Sequence, residues 1–214
     1  LYNDWFLNFA PTTYTNERKR AMEQVGLAIR LTDNLQFTSM HLKEHPEFIT
    51  ILRMATTPPI ARDRLIGLSE VKPSFVRAME EGRFPQRLSE QEKEACLNRI
   101  VKVLEKLLDL ELFPWIQNAG TPTVEELKVA ECIMADRLCG SLSDPIIRNE
   151  QEKRQLKVIG DFLVSEGYTY VDPKDVGSFL DMQQGTFTYH LNVPVEMSRF
   201  GVKMPIAVVI KRLG

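Results

Sequence analysis

The stretch that decides the fold class is GVKMPIAVVIKRLG (residues 201–214), an apolar run rich in Val and Ile at the end of a sequence that otherwise reads as helices. β-Branched residues favour strands, and a buried strand needs hydrogen-bonded neighbours. Two earlier stretches carry similar signals, YTYV (168–171) and GTFTYHLNVPVEM (185–197). The turn-like MSRFG, with Gly201, favours a hairpin between the last two. The pattern therefore predicts a small sheet of three strands.

The sequence before these strands has helical periodicity. LSEQEKEACLNRIVKVLEKLLDLELFPWI (88–116) repeats apolar residues at helical spacing. Ser89 precedes Glu92 by three residues, which is the spacing of a reciprocal capping box. Pro114 ends the apolar pattern. These signals predict an amphipathic helix that begins just after Ser89.

Two further helices are predicted before the strands. TPTVEELKVAECIMADRLCG (121–140) offers Thr121 or Thr123 as a cap, and Gly140 is expected just past its end. RNEQEKRQLKVIGDFLVSEGY (148–168) is expected to form a separate helix packed on the sheet. The residues thus predict an α+β chain with a helical region of about 145 residues, followed by one helix and three strands.

Composition narrows the class of protein. Hydrophobic residues make up 43% and charged residues 26%, and no apolar run approaches the ~20 residues of a membrane span. No signal-peptide pattern opens the sequence, so we expect a soluble, cytoplasmic protein. The three cysteines are widely spaced and have no histidine nearby in a zinc-site arrangement, which favours buried thiols. A net charge of −2 means that any nucleic-acid contact must come from a local patch.

The best nucleic-acid signal is PPIARDRLIGLSEVKPSFVRAMEEGRFP (58–85). Two short helical patterns, roughly 59–67 and 73–81, are joined by a turn, and the second resembles the recognition half of a repressor-type helix-turn-helix. A helix fits the major groove, where Arg or Lys reads guanine edges while neighbouring cations neutralise phosphates. The residues that we expect to contact DNA are Thr56, Arg62, Arg64, Lys72, Ser74, Arg77 and Arg83.

A purely structural interpretation of this segment stays open. Short helical hairpins in all-α domains often carry arginines that are paired with neighbouring acids, here Asp63, Glu70, Glu80 and Glu81. Glu70 also stands where helix-turn-helix units usually have glycine. In this reading the segment is a packed hairpin with no DNA contact.

Several longer stretches identify a family. YNDWFLNFAPTTY (2–14), LRMATTPPIARDRLIGL (52–68), ADRLCGSLSDPIIRNEQEKRQL (135–156), GYTYV (167–171) and GTFTYHLNVPVEM (185–197) occur in the same order in the XamI family of type II restriction endonucleases, which the chain resembles over nearly its whole length. The resemblance implies a PD-(D/E)XK nuclease that hydrolyses duplex DNA with Mg²⁺. It also implies a bacterial cytoplasmic location.

A PD-(D/E)XK site needs an Asp near the end of one strand and a Glu-x-Lys triplet on the next, where the carboxylates hold the metal. The resemblance places that Asp in MPIAVVI (204–210), at the position of Ala207. Ala207 is therefore interpreted as a missing catalytic and metal-binding aspartate. The sequence ends at Gly214, where the family continues into the strand with Glu-x-Lys, so we expect an incomplete nuclease core.

Other carboxylates could complete the site. Glu196 lies across the predicted hairpin from position 207 and is a candidate catalytic residue and metal ligand. Glu152, on the helix before the sheet, is a candidate for an additional catalytic role. Either residue could equally be a solvated or salt-bridged acid.

These observations lead to three hypotheses. The first is a type II restriction endonuclease, inactive in this form, with a helical region over 1–144 that reads DNA through about 56–84 and the N-terminal half of a nuclease core over 145–214. The second is a non-catalytic sequence-specific DNA-binding protein. The third is a protein-interaction module built on the aromatic YNDWFLNF. Because restriction sites are commonly palindromic, the first also implies a homodimer on double-stranded DNA.

Overall fold

The computed structural model describes residues 2–194 and 203–212. The helices are α1 (Tyr2–Leu31), α2 (Ser39–Glu44), α3 (Phe48–Leu52), α4 (Arg62–Ser69), α5 (Pro73–Glu80), α6 (Glu90–Leu107), α7 (Pro114–Gln117) and α8 (Val124–Ser165). The strands are β1 (Thr169–Tyr170), β2 (Thr186–Pro194) and β3 (Lys203–Lys211). This order of helices followed by a small sheet confirms the predicted α+β class. Within the described ranges, no helix is both long and apolar enough to cross a membrane.

The chain divides into two compact units, Leu1–Pro145 and Ile146–Gly214. We call the first the helical unit and the second the sheet unit. Helix α8 contributes to both, because the division falls inside it. The assignment of residues 1–144 to DNA recognition and of residues 145–214 to a nuclease core stays a prediction.

Helix α6 begins where the sequence predicted. The Ser89 backbone N–H donates to Glu92 Oε2 at 3.0 Å, and the Glu92 N–H donates to Ser89 Oγ at 3.2 Å, so the capping box is confirmed. Leu97, Ile100 and Leu104 then fall on one face and are almost completely buried. Burying each of these side chains contributes about 1.5–3 kcal/mol, which makes α6 a central element of the helical core.

The predicted helix end at Gly140 is wrong. Helix α8 continues from Val124 through Gly140 and Pro145 to Ser165, so the two helices that we expected are one. Ala135, Leu138 and Cys139 are fully buried just before Gly140. An interior glycine costs only about 1 kcal/mol relative to alanine, and packing of the buried face outweighs that cost.

Helices α4 and α5 are joined by a turn of three residues, Glu70, Val71 and Lys72. Glu70 ends α4 in the left-handed region, with φ 52°, a conformation that favours glycine. Pro73 begins α5, where its missing N–H leaves no helical hydrogen bond unmade. Phe75, Val76 and Met79 of α5 are buried against the rest of the helical unit.

Glu80, at the end of α5, bridges two arginines. Its Oε1 accepts a hydrogen bond from Arg53 Nη2 at 2.8 Å, and its Oε2 accepts one from Arg62 Nη1 at 3.0 Å. The side chains of Arg53 and Glu80 are only 12% and 18% exposed. Arg53 also donates to the Ile60 carbonyl at 3.2 Å. Glu80 therefore joins α5 both to the start of α4 and to the turn that follows α3.

The sheet unit has the strand order β1-β2-β3, with β1 parallel and β3 antiparallel to β2. Tyr189 of β2 donates from its hydroxyl to the Leu156 carbonyl of α8 at 2.9 Å. Gly160 allows this close approach, because a Cβ there would lie 2.1 Å from the Tyr189 hydroxyl oxygen. The residues between β2 and β3, where the hairpin turn was predicted, lie outside the described residues.

Replacing Glu80 tests the bridge. Glu80→Gln keeps the shape of the side chain but leaves Arg53 and Arg62 beside each other with only the exposed Asp63, 3.7 Å from Arg62 Nε, as a counter-charge. We expect the free energy of unfolding, measured by urea denaturation, to fall by about 2–3 kcal/mol. Glu81→Gln is the matched control, because Glu81 pairs with Arg83 on the surface and its loss should leave stability nearly unchanged. Equal effects of the two substitutions would contradict this account of the bridge.

Candidate nucleic-acid interface and nuclease site

The cations expected to contact DNA differ in whether they already form ion pairs within the protein. Arg62 is half-exposed and bonded to Glu80, and Arg83 is exposed and paired with Glu81. Arg64, Lys72 and Arg77 are exposed and form no ion pair within the described part of the chain. The last three side chains are therefore the ones that could bind an anion without first breaking a contact.

Thr56 is not accessible to DNA. Its side chain is fully buried, its hydroxyl donates toward the Arg53 and Pro58 carbonyls, both at 2.9 Å, and it accepts from the Ile60 N–H at 3.0 Å. These bonds hold the turn that leads into α4. The expected phosphate contact from Thr56 is therefore replaced by a structural role.

Ser74 and Arg77 are placed together on the outer face of α5. They are three residues apart on the helix and both are exposed, while Phe75, Val76 and Met79 face inward. A hydroxyl and an unpaired guanidinium on one exposed helical face are suited to hydrogen bonding with base edges or phosphates. The fold thus presents the two residues that the sequence nominated for base contact.

A cleft of about 400 Å³ opens beside the start of α5. Lys72 and Ser74 line it, together with Arg87 and Arg99, which sequence reasoning missed. Arg87 lies in the loop between α5 and α6, and Arg99 lies on α6. The spacing of cations on α6 is the signal that could have found Arg99, because a helical projection places Arg99, Lys102 and Lys106 on one face.

In the sheet unit, Ala207 is exposed rather than packed in the core. Tyr189 pairs with Val208 and Leu191 pairs with Ile206, so the register places Ala207 next to His190. His190 has a left-handed backbone, with φ 53°, and its Nδ1 lies 3.8 Å from Glu152 Oε1 on α8. Two of the predicted positions, 152 and 207, are therefore each adjacent to His190, a residue that the sequence had not singled out.

The third predicted carboxylate, Glu196, lies outside the described residues. Of the groups that the strand register and the 3.8 Å contact connect to position 207, Glu152 is a carboxylate and His190 an imidazole. Mg²⁺ prefers oxygen ligands in octahedral geometry, and no group of three His, Cys, Asp or Glu side chains among the described residues could hold a metal ion. The described residues at this site do not fit a magnesium centre.

Comparison with known proteins defines the class. The family model for the XamI restriction endonuclease matches residues 30–213. The chain is also 40% identical over 212 residues to the type II restriction enzyme SalI from Streptomyces albus G, an alignment that covers 99% of this chain and 67% of that enzyme. No solved structure matches the chain. The chain belongs to the XamI restriction endonuclease family, as the sequence resemblance indicated.

Proposed function

We propose that this chain is a type II restriction endonuclease whose substrate is double-stranded DNA, with DNA recognition in the helical unit and the nuclease site in the sheet unit. The observation that carries the proposal is the similarity to a type II restriction enzyme along 99% of the chain. The exposed, unpaired cations around α5 support it, because an acidic chain can bind DNA only where its cations are gathered.

In the proposed complex, α5 enters the major groove. Arg77 and Ser74 contact base edges, which carry the sequence information. Arg64, Lys72 and Arg83 contact phosphates, which position the protein on the duplex. Arg62 keeps Glu80 as its partner, so we assign it to holding α4 and α5 together rather than to a direct DNA contact.

The reaction of the family, as the resemblance implies it, is hydrolysis of a phosphodiester bond with Mg²⁺, in which carboxylates hold the metal. Ala207 carries no ligand at the position where the resemblance expects Asp. Glu152 and Glu196 are the carboxylates that we propose beside it. With this substitution, we propose that the chain as it stands binds duplex DNA and does not cleave it.

Recognition of a palindromic site would make the active assembly a homodimer, because a two-fold DNA site is read most simply by a two-fold protein. The second candidate function is a non-catalytic, sequence-specific DNA-binding protein. The alanine at position 207 favours this alternative, because its side chain offers no metal ligand for cleavage while the exposed residues of α5 are still available to bind DNA.

The base-reading role of Arg77 can be measured directly. Selection from a pool of randomised duplexes first defines the preferred site, and binding of wild type and Arg77→Ala is then compared on that site and on a scrambled duplex. Loss of a base contact should cost about 1–3 kcal/mol on the preferred site and reduce discrimination there. Lys72→Ala is the matched control and should weaken binding to both duplexes equally. Wild-type affinity of Arg77→Ala on both duplexes would remove α5 from the interface.

The proposal for position 207 predicts separate outcomes for binding and cleavage. The unmodified chain should shift a duplex in a gel assay and leave plasmid DNA uncut in Mg²⁺. Ala207→Asp should bind Ca²⁺ more tightly than Ala207→Asn in calorimetric titration, because only the Asp adds a second charged oxygen ligand near Glu152. Magnesium-dependent cutting by the unmodified chain would show that its catalytic residues lie elsewhere.

A further inference from the structure

Helix α6 carries a row of exposed cations that have no carboxylate partner among the described residues. Arg99, Lys102 and Lys106 are exposed and form no ion pair within the described ranges, and we call these three residues the α6 basic strip. Arg99 Nη2 donates a hydrogen bond to Cys96 Sγ at 3.4 Å. Positions i, i+3 and i+7 lie on one face of a helix, and seven residues rise by about 10 Å. The strip is thus a short linear array of positive charge.

The two acids in the first turn of α6, Glu90 and Glu92, already have partners. Glu90 pairs with both Lys43 and Lys93, at 3.0 and 2.6 Å. Glu92 accepts hydrogen bonds from the Ser89 N–H and hydroxyl, and these bonds lower the pKa of its carboxyl. Glu92 also lines the cleft beside α5. The two other acids of α6, Glu94 and Glu105, are exposed and form no ion pair with the strip within the described ranges.

The strip continues into the cleft beside α5. Arg99 lines that cleft with Lys72 and Arg87, and it also lines a second cleft of about 210 Å³ with Lys102 and Lys106. The two clefts share Glu70 as well as Arg99, so they adjoin. Five cations therefore follow one another along a continuous surface, with Glu70 and Glu92 as the acids that also line it.

An extended row of cations fits an extended row of anions. Five positive side chains spread over two adjoining clefts do not converge on one point, as a site for a single phosphate would require. Duplex DNA carries one negative charge for about every 1.7 Å of its axis, so an array of this length faces several phosphates at once. The array also adjoins the start of α5, because Arg99 lines the same cleft as Lys72 and Ser74.

We propose that the α6 basic strip, together with Lys72 and Arg87, binds the sugar–phosphate backbone of duplex DNA next to the bases that α5 contacts. This inference rests on the proposed function, because it assumes a DNA substrate. It adds an interaction surface on α6 that the recognition segment at 56–84 does not include. The surface supplies affinity and register without sequence preference, because phosphates carry no base identity.

The test uses the whole chain and a fixed duplex of about 30 base pairs, with fluorescence anisotropy at several salt concentrations. Arg99→Gln/Lys102→Gln should weaken binding to preferred and scrambled duplexes by the same factor. It should also lower the slope of log affinity against log salt by about two, since each lost phosphate contact accounts for about 0.9. The matched control is Lys19→Gln/Arg30→Gln, which removes the same charge from exposed positions of α1 that line neither cleft.

A second variant changes the charge in the opposite direction. Glu70→Gln removes the carboxylate shared by both clefts, so it should strengthen binding to both duplexes. If Arg99→Gln/Lys102→Gln has the same affinity and salt slope as the α1 control while wild type binds DNA, the proposal that α6 binds the backbone is wrong. The proposed function is then unaffected. If wild type binds no duplex at any salt concentration, the proposed function fails and this inference fails with it.

Discussion

The arrangement of the helical unit depends on the Glu80 carboxylate, which holds two arginines from different parts of the chain. Burial lowers the pKa of Arg53, and the charge of Glu80 opposes that effect, while the hydrogen bond from Arg62 to Glu80 raises the pKa of Arg62. Because Glu80 bonds to both arginines, α5 has a defined orientation against α4. That orientation buries Phe75 and Met79 and leaves Ser74 and Arg77 outside.

The cations of the helical unit fall into two groups, those with a carboxylate partner and those without one. The arginines that stabilise the fold have carboxylate partners, whereas Lys72, Arg77, Arg87 and the α6 basic strip have none among the described residues. A chain with net charge −2 thereby collects positive charge on the α5–α6 side of its helical unit. The sheet unit contributes a different feature, an exposed alanine that the strand register places next to His190, at the position where the family resemblance expects a metal ligand. In the proposed function, α5 serves recognition and position 207 serves cleavage, so a change at one is expected to leave the other intact.

Much of the fold could be predicted because its signals are local. The capping box at Ser89 and the β-branched final strand needed no knowledge of distant contacts. The continuation of α8 through Gly140 could not be predicted, because burial of Leu138 and its neighbours depends on the rest of the helical unit. For the same reason the sequence could not separate Thr56, which is buried, from Ser74, which is exposed. The link between Glu152 and His190 is likewise set by how α8 lies on β2.

The central claim is that the α5–α6 side of the helical unit binds duplex DNA. Lysine acetylation of the free and DNA-bound chain, analysed by mass spectrometry, tests it most directly, because acetylation reports the accessibility of each ammonium group. The account predicts that duplex DNA slows the modification of Lys72, Lys102 and Lys106 and leaves that of Lys19 and Lys128 unchanged. Equal modification of all five lysines in a chain saturated with DNA would contradict it.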